Sequence, residues 1–426
     1  MKAASPYKVT TLANGVRVAT AWMPHLRGAN VGVWVEVGCR HERKSEGGVA
    51  HFLEHLLFKG TSAHSARELT CAVEGVGGYL NAFTTEDHTC YYAKADAAHF
   101  GRLSEVLLEM YLDSQFPEHE VERERGVIQE EISSLRDVPS QWAEDLLAES
   151  LWPGHPLGRP LTGTQESVGR ISRVDLQRFR QRHYTGRNTI FTVAGPVLHE
   201  DVLRQVRRPL EGLPRGVASR PLLAREEAAC VRVENEDTEQ AHFALGFHSC
   251  SRTAPERFAL RLLSVMLGEN MSSRLFQSLR ERYGYCYSAQ SSVVGLLEAG
   301  ALCVYTDLDP AKLEKAVAAI RRECARFSVR EPSRGDLRMA AQYAIGQTRV
   351  ALDSATQQAG WMAESLMAVG RVVELEEAER AVLGVTPAAV HAVARKCLQF
   401  GGAAAALVGP GVPVSRLAKM VRGAAL

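Results

Sequence analysis

The sequence predicts an α+β protein of two homologous domains, each an antiparallel sheet with helices packed mainly on one face. Three observations predict it. The chain has 426 residues, 46% of them hydrophobic, which is more than a single core ordinarily serves. Within each half, short runs of period two stand beside longer runs of helical period. The order of these elements in the first half returns in the second, as a degenerate internal duplication leaves it.

The elements follow in order. Residues 10–19 (TTLANGVRVA) alternate around Asn14-Gly15, a strong hairpin signal. Residues 31–37 (VGVWVEV) read as a strand, and 48–58 and 65–75 as helices. The second helix breaks at residues 75–78 (GVGG). That cluster precedes a strand and opens no helix, so it is not a dinucleotide-binding turn. Strands are expected at 79–84 and 88–94, and helices at 97–114, 118–136 and 140–151. A loop at 153–158, a helix at 173–183 and a strand at 188–194 close the first half. Residues 212–221 (GLPRGVASRP) are rich in Pro and Gly and have no period, which marks a linker. The expected domains are therefore residues 1–212 and 229–426, joined by a linker at 213–228.

The second half repeats the order. Residues 242–247 (HFALGF) correspond to the 31–37 strand, 256–263 (ERFALRLL) to the 48–58 helix, and 273–280 (SRLFQSLR) to the helix after it. Strands at 285–292 and 300–306 match those at 79 and 88, and a helix follows in both halves.

Composition narrows the function classes. Lys+Arg is 50 and Asp+Glu is 49, so the net charge is +1, and neither nucleic acid nor an anionic membrane is expected as a partner. Nine cysteines without a Cys-x-x-Cys pair speak against a disulfide framework. The N-terminus has no apolar signal core, and no apolar run is long enough to span a bilayer. The expectation is a cytoplasmic protein.

The chemistry concentrates at His51, Glu54 and His55. Two histidines four residues apart lie on one helix face about one turn from each other, and their imidazoles can grip one metal ion. Glu54, between them, is placed to handle a proton. This is the reverse order of the His-Glu-x-x-His zinc motif. A polar helix face is the ordinary reading of such residues. Here they are embedded among Ala50, Phe52, Leu53, Leu56, Leu57 and Phe58, where burying them is costly unless they have partners. A zinc hydrolase site needs a third protein ligand and an open position. Residues 122–132 (ERERGVIQEEI) are the richest source. Glu124 and Glu131 are two helical turns apart on one face, whereas Glu130 points about 100° from Glu131, so only one of that pair is easily a ligand. An Arg/Glu-laced helix is also common on plain surfaces. The matching helix of the second half carries Glu256 and Arg261 but no histidine, so it cannot bind metal in the same way.

The chain resembles the pitrilysin family of metallopeptidases over nearly its whole length. The short form it resembles includes the β subunit of mitochondrial processing peptidase and bacterial homodimeric relatives. The marks are residues 12–17 (LANGVR), 47–61 (GGVAHFLEHLLFKGT), 80–84 (LNAFT) with His88-Thr89, 124–131 (ERGVIQEE), 155–158 (HPLG), and 271–276 (MSSRLF) running on to Tyr287-Ser288. The resemblance implies one Zn2+ per chain on His51, His55 and Glu131, with Glu54 as catalytic base and Glu124 orienting a ligand histidine. It implies that Arg280 and Tyr287 hold substrate, with Tyr285 a nearby alternative that the spacing disfavours. It implies that Asn81, Ala82 and Phe83 form an edge strand to which an extended peptide adds. The loop Gly268-Glu269-Asn270 departs from the more glycine-rich form of relatives.

The activity so implied is that of a zinc metalloendopeptidase acting on peptides or unfolded segments inside a dimeric chamber. Because one chain carries both the metal set and the Arg/Tyr pair, a homodimer with sites completed in trans is expected. The alternatives are a non-catalytic subunit of the same fold and a maturation peptidase dedicated to one precursor. A serine hydrolase is unsupported, since no Gly-x-Ser-x-Gly elbow is present.

Overall fold

The computed structural model describes residues 5–224 and 228–423. Its first half runs β1 (Tyr7–Thr11), β2 (Arg17–Trp22), β3 (Gly28–Val35), α1 (Val49–Leu57), α2 (Ala66–Glu74), β4 (Tyr79–Thr84), β5 (Thr89–Asp96), α3 (Phe100–Asp113), α4 (Glu118–Arg136), α5 (Pro139–Leu151), α6 (Gln165–Arg170), α7 (Arg173–His183), β6 (Thr189–Gly195) and α8 (His199–Glu211). The second half runs β7 (Val231–Asn235), β8 (Ala241–Ser249), α9 (Arg257–Gly268), a π-helix (Phe276–Arg282), β9 (Cys286–Gly295), β10 (Gly300–Leu308), α10 (Leu313–Val329), α11 (Arg334–Leu352), α12 (Ala355–Val369), α13 (Leu375–Leu383), α14 (Pro387–Cys397), β11 (Ala404–Gly409) and α15 (Val414–Arg422).

The chain forms two compact units. One is drawn from Met1–Ile132, Pro160–Leu222 and Arg349–Glu374, the other from Ser133–Arg159, Leu223–Thr348 and Leu375–Leu426. Each has a mixed sheet with helices packed on it. The first sheet has the order β1-β2-β6-β3-β5-β4, and the second β7-β11-β8-β10-β9. The Asn14-Gly15 turn joins β1 to β2 in the register Tyr7↔Ala21 to Thr11↔Arg17, and Gly15 has φ +98°. The antiparallel expectation holds for all pairs but one in each sheet: β2/β6 and β7/β11 are parallel. Both β6 and β11 arrive after long helical connections, which let a strand enter in either direction, whereas a tight hairpin allows only antiparallel pairing.

Alternation in β3 divides the first core. Val31, Val33 and Val35 pack with Phe52, Leu53, Leu56 and Leu107 from α1 and α3. Trp34 packs on the other face with Ala19, Ala21, Ile190 and Ala194, and is covered by Ala359, Met362, Ala363 and Leu366 of α12. In the second unit, Phe243, Leu245, Phe247, Leu302 and Val304 pack beneath α9, α10 and α14. The opposite face, with Ala244, Ala301, Cys303, Ala404 and Ala406, is covered by Ala143, Leu146, Leu147 and Leu151 of α5.

Helices α5 and α12 thus serve the sheet of the other half of the sequence. A single linear division into 1–212 and 229–426 does not contain this exchange. Within the expected linker at 213–228, the described residues form neither helix nor strand, and residues 225–227 lie outside the described set. No described helix is long and apolar enough to cross a membrane. All nine cysteines are unpaired.

Candidate metal centre

Helix α1 is built to be buried. Val49, Phe52, Leu53, Leu56 and Leu57 are fully enclosed. Its N-terminus is held by the buried Glu42 carboxylate, which accepts from Gly48 N–H at 2.9 Å and Ala50 N–H at 2.8 Å. Such a carboxylate satisfies amides that have no partner inside the helix and favours the positive end of its dipole. Gly48 has φ +91°, and a Cβ there would lie 2.5 Å from Thr162 O.

On this helix His51 and His55 hold their rings 4.7 Å apart at 69°. Glu131 arrives from α4, its Oε2 lying 3.8 Å from His51 Nε2 and 3.7 Å from His55 Nε2. One ligating atom from each residue falls within 4.8 Å of the others, the one such group of three among the described residues. Zinc at about 2.0–2.2 Å from N and O donors in tetrahedral geometry sets ligands roughly 3.3–3.5 Å apart. The observed spacing is a few tenths of an ångström wider and too long for hydrogen bonds, so the donor set fits a zinc ion. Burial, followed by the neighbouring His55, pushes the His51 pKa down to about 3, which keeps the imidazole in its neutral, ligating form.

Glu124 supports this arrangement from one helical face with Glu131. It is 3% exposed, and its Oε2 lies 3.1 Å from His55 Nδ1 while its Oε1 accepts from Lys59 Nζ at 2.7 Å. With Nδ1 donating to the carboxylate, His55 presents the Nε2 lone pair. Glu130 is exposed on another face, so the choice that spacing left open falls to Glu131. Glu54 stands beside the cluster without joining it. Burial raises its pKa, opposed by a hydrogen bond that Thr84 Oγ1 donates to Oε2 at 2.5 Å.

Asn81, Ala82 and Phe83 lie on β4, the edge strand of the first sheet, paired only with β5. Ala82 and Leu80 pack toward the α1 core. Phe83 turns to the other face and meets Trp34 edge-on at 5.6 Å. The Ala82 N–H is covered by Asn81 Oδ1 at 2.8 Å. Arg280 and Tyr287 belong to the second unit. The Arg280 guanidinium stacks on Tyr287 at 4.9 Å and on Phe276 at 4.7 Å, and Tyr287 is 77% exposed. Tyr285 instead stacks on Tyr283 at 5.1 Å and packs against the second core, so of the two tyrosines it is Tyr287 that the Arg280 guanidinium meets.

Sequence reasoning missed three contributors. Lys59 is four residues beyond His55, and strand alternation places Thr84 on the inward face with Ala82. Both had a signal in their period. Glu42 had none, because it caps α1 from outside any helical repeat.

Comparison with known proteins identifies the family. Residues 17–165 match the family described as Insulinase (Peptidase family M16), and residues 170–342 match the Peptidase M16 inactive domain. A protein of Streptomyces coelicolor named as an uncharacterized zinc protease is 34% identical over 397 residues, covering 91% of this chain and 86% of its own. A probable mitochondrial-processing peptidase subunit beta of Arabidopsis thaliana is 30% identical over 416 residues, covering 95% of this chain and 78% of its own. The crystal structure of a protease from Helicobacter pylori shares the fold, with a TM-score of 0.88 at 23% identity, covering 96% of this chain and all of that one. From the family matches over both halves, the paired sheets and relatives named as zinc proteases, the chain belongs to peptidase family M16, the pitrilysin family.

Proposed function

We propose that the chain is a zinc-dependent metalloendopeptidase holding one Zn2+ per chain on His51, His55 and Glu131. The observation that carries this reading is the convergence of three ligating atoms beside a carboxylate, Glu54, that is not one of them. Zinc in such a site supplies Lewis acidity to water and to a peptide carbonyl. Glu54 takes a proton from water as the water oxygen bonds to the carbonyl carbon, and gives it to the amine nitrogen as the C–N bond breaks. Burial raises its pKa above that of an exposed glutamate, which strengthens it as the proton acceptor. Thr84 holds Oε2 and leaves Oε1 to accept the proton.

Peptide is bound as an added strand at Asn81, Ala82 and Phe83. Main-chain pairing there reads backbone more than sequence, so specificity is broad and favours peptides and unfolded segments. The peptide carbonyl replaces Asn81 Oδ1 on the Ala82 N–H. Tyr287 donates to the developing oxyanion, and Arg280 fixes its ring by stacking. These two residues serve the zinc site of a second copy, in a homodimer that encloses its substrate. The presence of both the metal set and the stacked pair on one chain supports completion in trans. A cytoplasmic location rests on the composition alone.

Metal analysis of Glu54→Gln and the parent protein tests the reading. Both should carry about one zinc per chain, and only the parent should cleave a peptide library in a chelator-sensitive way. A zinc-free parent protein, or near-normal turnover in Glu54→Gln, overturns it, and a zinc-free inactive chain points to a non-catalytic subunit. Mixing Glu54→Gln with Tyr287→Phe should restore part of the activity. No recovery in a mixed dimer counts against completion in trans.

A further inference from the structure

The second unit contains a cleft of about 1240 Å³ that zinc chemistry does not use. Six arginines line it, Arg274, Arg321, Arg322, Arg326, Arg330 and Arg422, against two carboxylates, Glu331 and Asp336. In a chain of net charge +1 this is a local excess of positive charge, the kind that concentrates anions in a walled space. Arg322 and Arg326 are one turn apart on α10, Arg330 follows its C-terminus, and Arg422 closes α15.

Ion pairing and compensation of a helix C-terminus account for only part of this. Arg326 donates to Glu323 at 3.1 Å, and Arg274 lies 3.7 Å from Asp336. Arg321 donates to Met420 O and Gly423 O, and Arg422 to Ala403 O and Ala229 O. These carbonyl acceptors fix a guanidinium without cancelling its charge. Aromatic stacking does the same for Arg274 on Phe327 at 4.8 Å and Arg321 on Phe400 at 5.3 Å. Neither the Arg322 nor the Arg330 guanidinium has a hydrogen-bond or ion-pair partner among the described residues. The cleft therefore combines guanidinium groups fixed in advance by carbonyls and rings, which lowers the ordering cost of binding, with two, Arg322 and Arg330, whose charge no carboxylate meets among the described residues.

We propose that this cleft binds a compact polyanion carrying two or more phosphate groups, of the class of inorganic oligophosphates and nucleotide polyphosphates. All six cations are arginine and none is lysine, and the guanidinium fork meets paired oxygens bidentately. Several forks in one cleft suit closely spaced charges better than the separated carboxylates of an acidic peptide. The volume exceeds that of ordinary small-ligand sites, roughly 300–1,000 Å³, so a nucleotide-sized molecule has room.

The test is a calorimetric titration of the zinc-loaded full chain with inorganic tripolyphosphate. It compares the parent with the double variant Arg322→Ala/Arg330→Ala, which removes two exposed side chains without a hydrogen-bond or ion-pair partner among the described residues; Arg322 gives up only a loose contact over the Tyr283 ring at 5.9 Å. The expected result is saturable binding that weakens with added salt and falls at least about tenfold in the double variant, whose thermal midpoint without ligand stays that of the parent. Tripolyphosphate held at the zinc would survive the double substitution, so affinity that the variant leaves unchanged overturns the proposal, as does the absence of saturable binding. A poly-glutamate peptide that binds as tightly as tripolyphosphate overturns the assignment to phosphate.

Discussion

Glu124 offers a sharp test of how the metal centre is held. Both of its oxygens are engaged, Oε2 with His55 Nδ1 at 3.1 Å and Oε1 with Lys59 Nζ at 2.7 Å, and the residue is 3% exposed. Glu124→Gln keeps the shape but leaves one acceptor where two donors converge. If the amide oxygen serves Lys59, its NH2 faces His55 Nδ1–H, donor against donor, and the imidazole loses the bond that orients Nε2 toward the metal position. Loss of such a supporting partner costs roughly 10- to 100-fold in metal affinity, about 1.4–2.7 kcal/mol. Glu124→Ala belongs at the upper end, because it also strands the partly buried Lys59 ammonium. The assay is a zinc competition titration against a chromophoric chelator near neutral pH, with circular dichroism melting to confirm that each variant is folded. Folded variants that both bind zinc within about twofold of the parent would refute the reasoning. So would lost peptidase activity with unchanged zinc affinity, since that would give Glu124 a role other than orienting a ligand.

Three further outcomes follow from the geometry. Gly48→Ala forces a Cβ to 2.5 Å from Thr162 O at φ +91° and should destabilise the protein by roughly 1–3 kcal/mol while lowering bound zinc; an unaltered melting temperature contradicts this. Met362, fully buried on α12 against the Trp34 face, should cost about 2–5 kcal/mol as Met362→Ala in urea unfolding, and a cost under about 1 kcal/mol argues against that packing. His183 is pushed down to about 3 by burial first and then by Arg182, whose Nε donates to His183 Nε2 at 2.8 Å and so requires that nitrogen unprotonated. The unfolded chain takes up this proton near pH 6.5, so the contribution is present above that pH and is lost as pH falls, amounting to about 2 kcal/mol by about pH 5. His183→Gln should flatten the dependence of unfolding free energy on pH across that window, and an identical slope in both proteins removes His183 as its source.

The site was more legible than the fold around it. His51, Glu54 and His55 announce themselves because three polar residues in an apolar helix demand partners. Helical period puts Glu124 and Glu131 on one face but leaves Glu130 as a rival, and the resemblance to the family singles out Glu131. The hairpin at Asn14-Gly15 and the strand at Tyr79–Thr84 were readable from local turn chemistry and alternation, and the edge position of that strand only from the resemblance to the family. The placement of α5 and α12 was not. The apolar residues Leu146, Leu147 and Leu151 say that α5 is buried, but a hydrophobic stripe carries no address for the sheet that receives it. The same holds for β6, whose pattern predicts a strand without giving direction or neighbour, and β11 was not anticipated at all. Glu42 escaped notice because a cap delivered from a preceding turn leaves no periodic trace.

The exchange of α5 and α12 has a consequence for how the chain is made. The sheet that carries Trp34 is complete in sequence once β6 has emerged from the ribosome, yet its second face stays bare until Ala355–Val369 follows. At about 5–20 residues per second that wait is on the order of ten seconds or more. Through it, Trp34, Ile190 and Ala194 remain available to wrong partners. Cutting the gene near residue 222 should yield two fragments that each aggregate alone and regain solubility when co-expressed, because each fragment holds the other's missing lid.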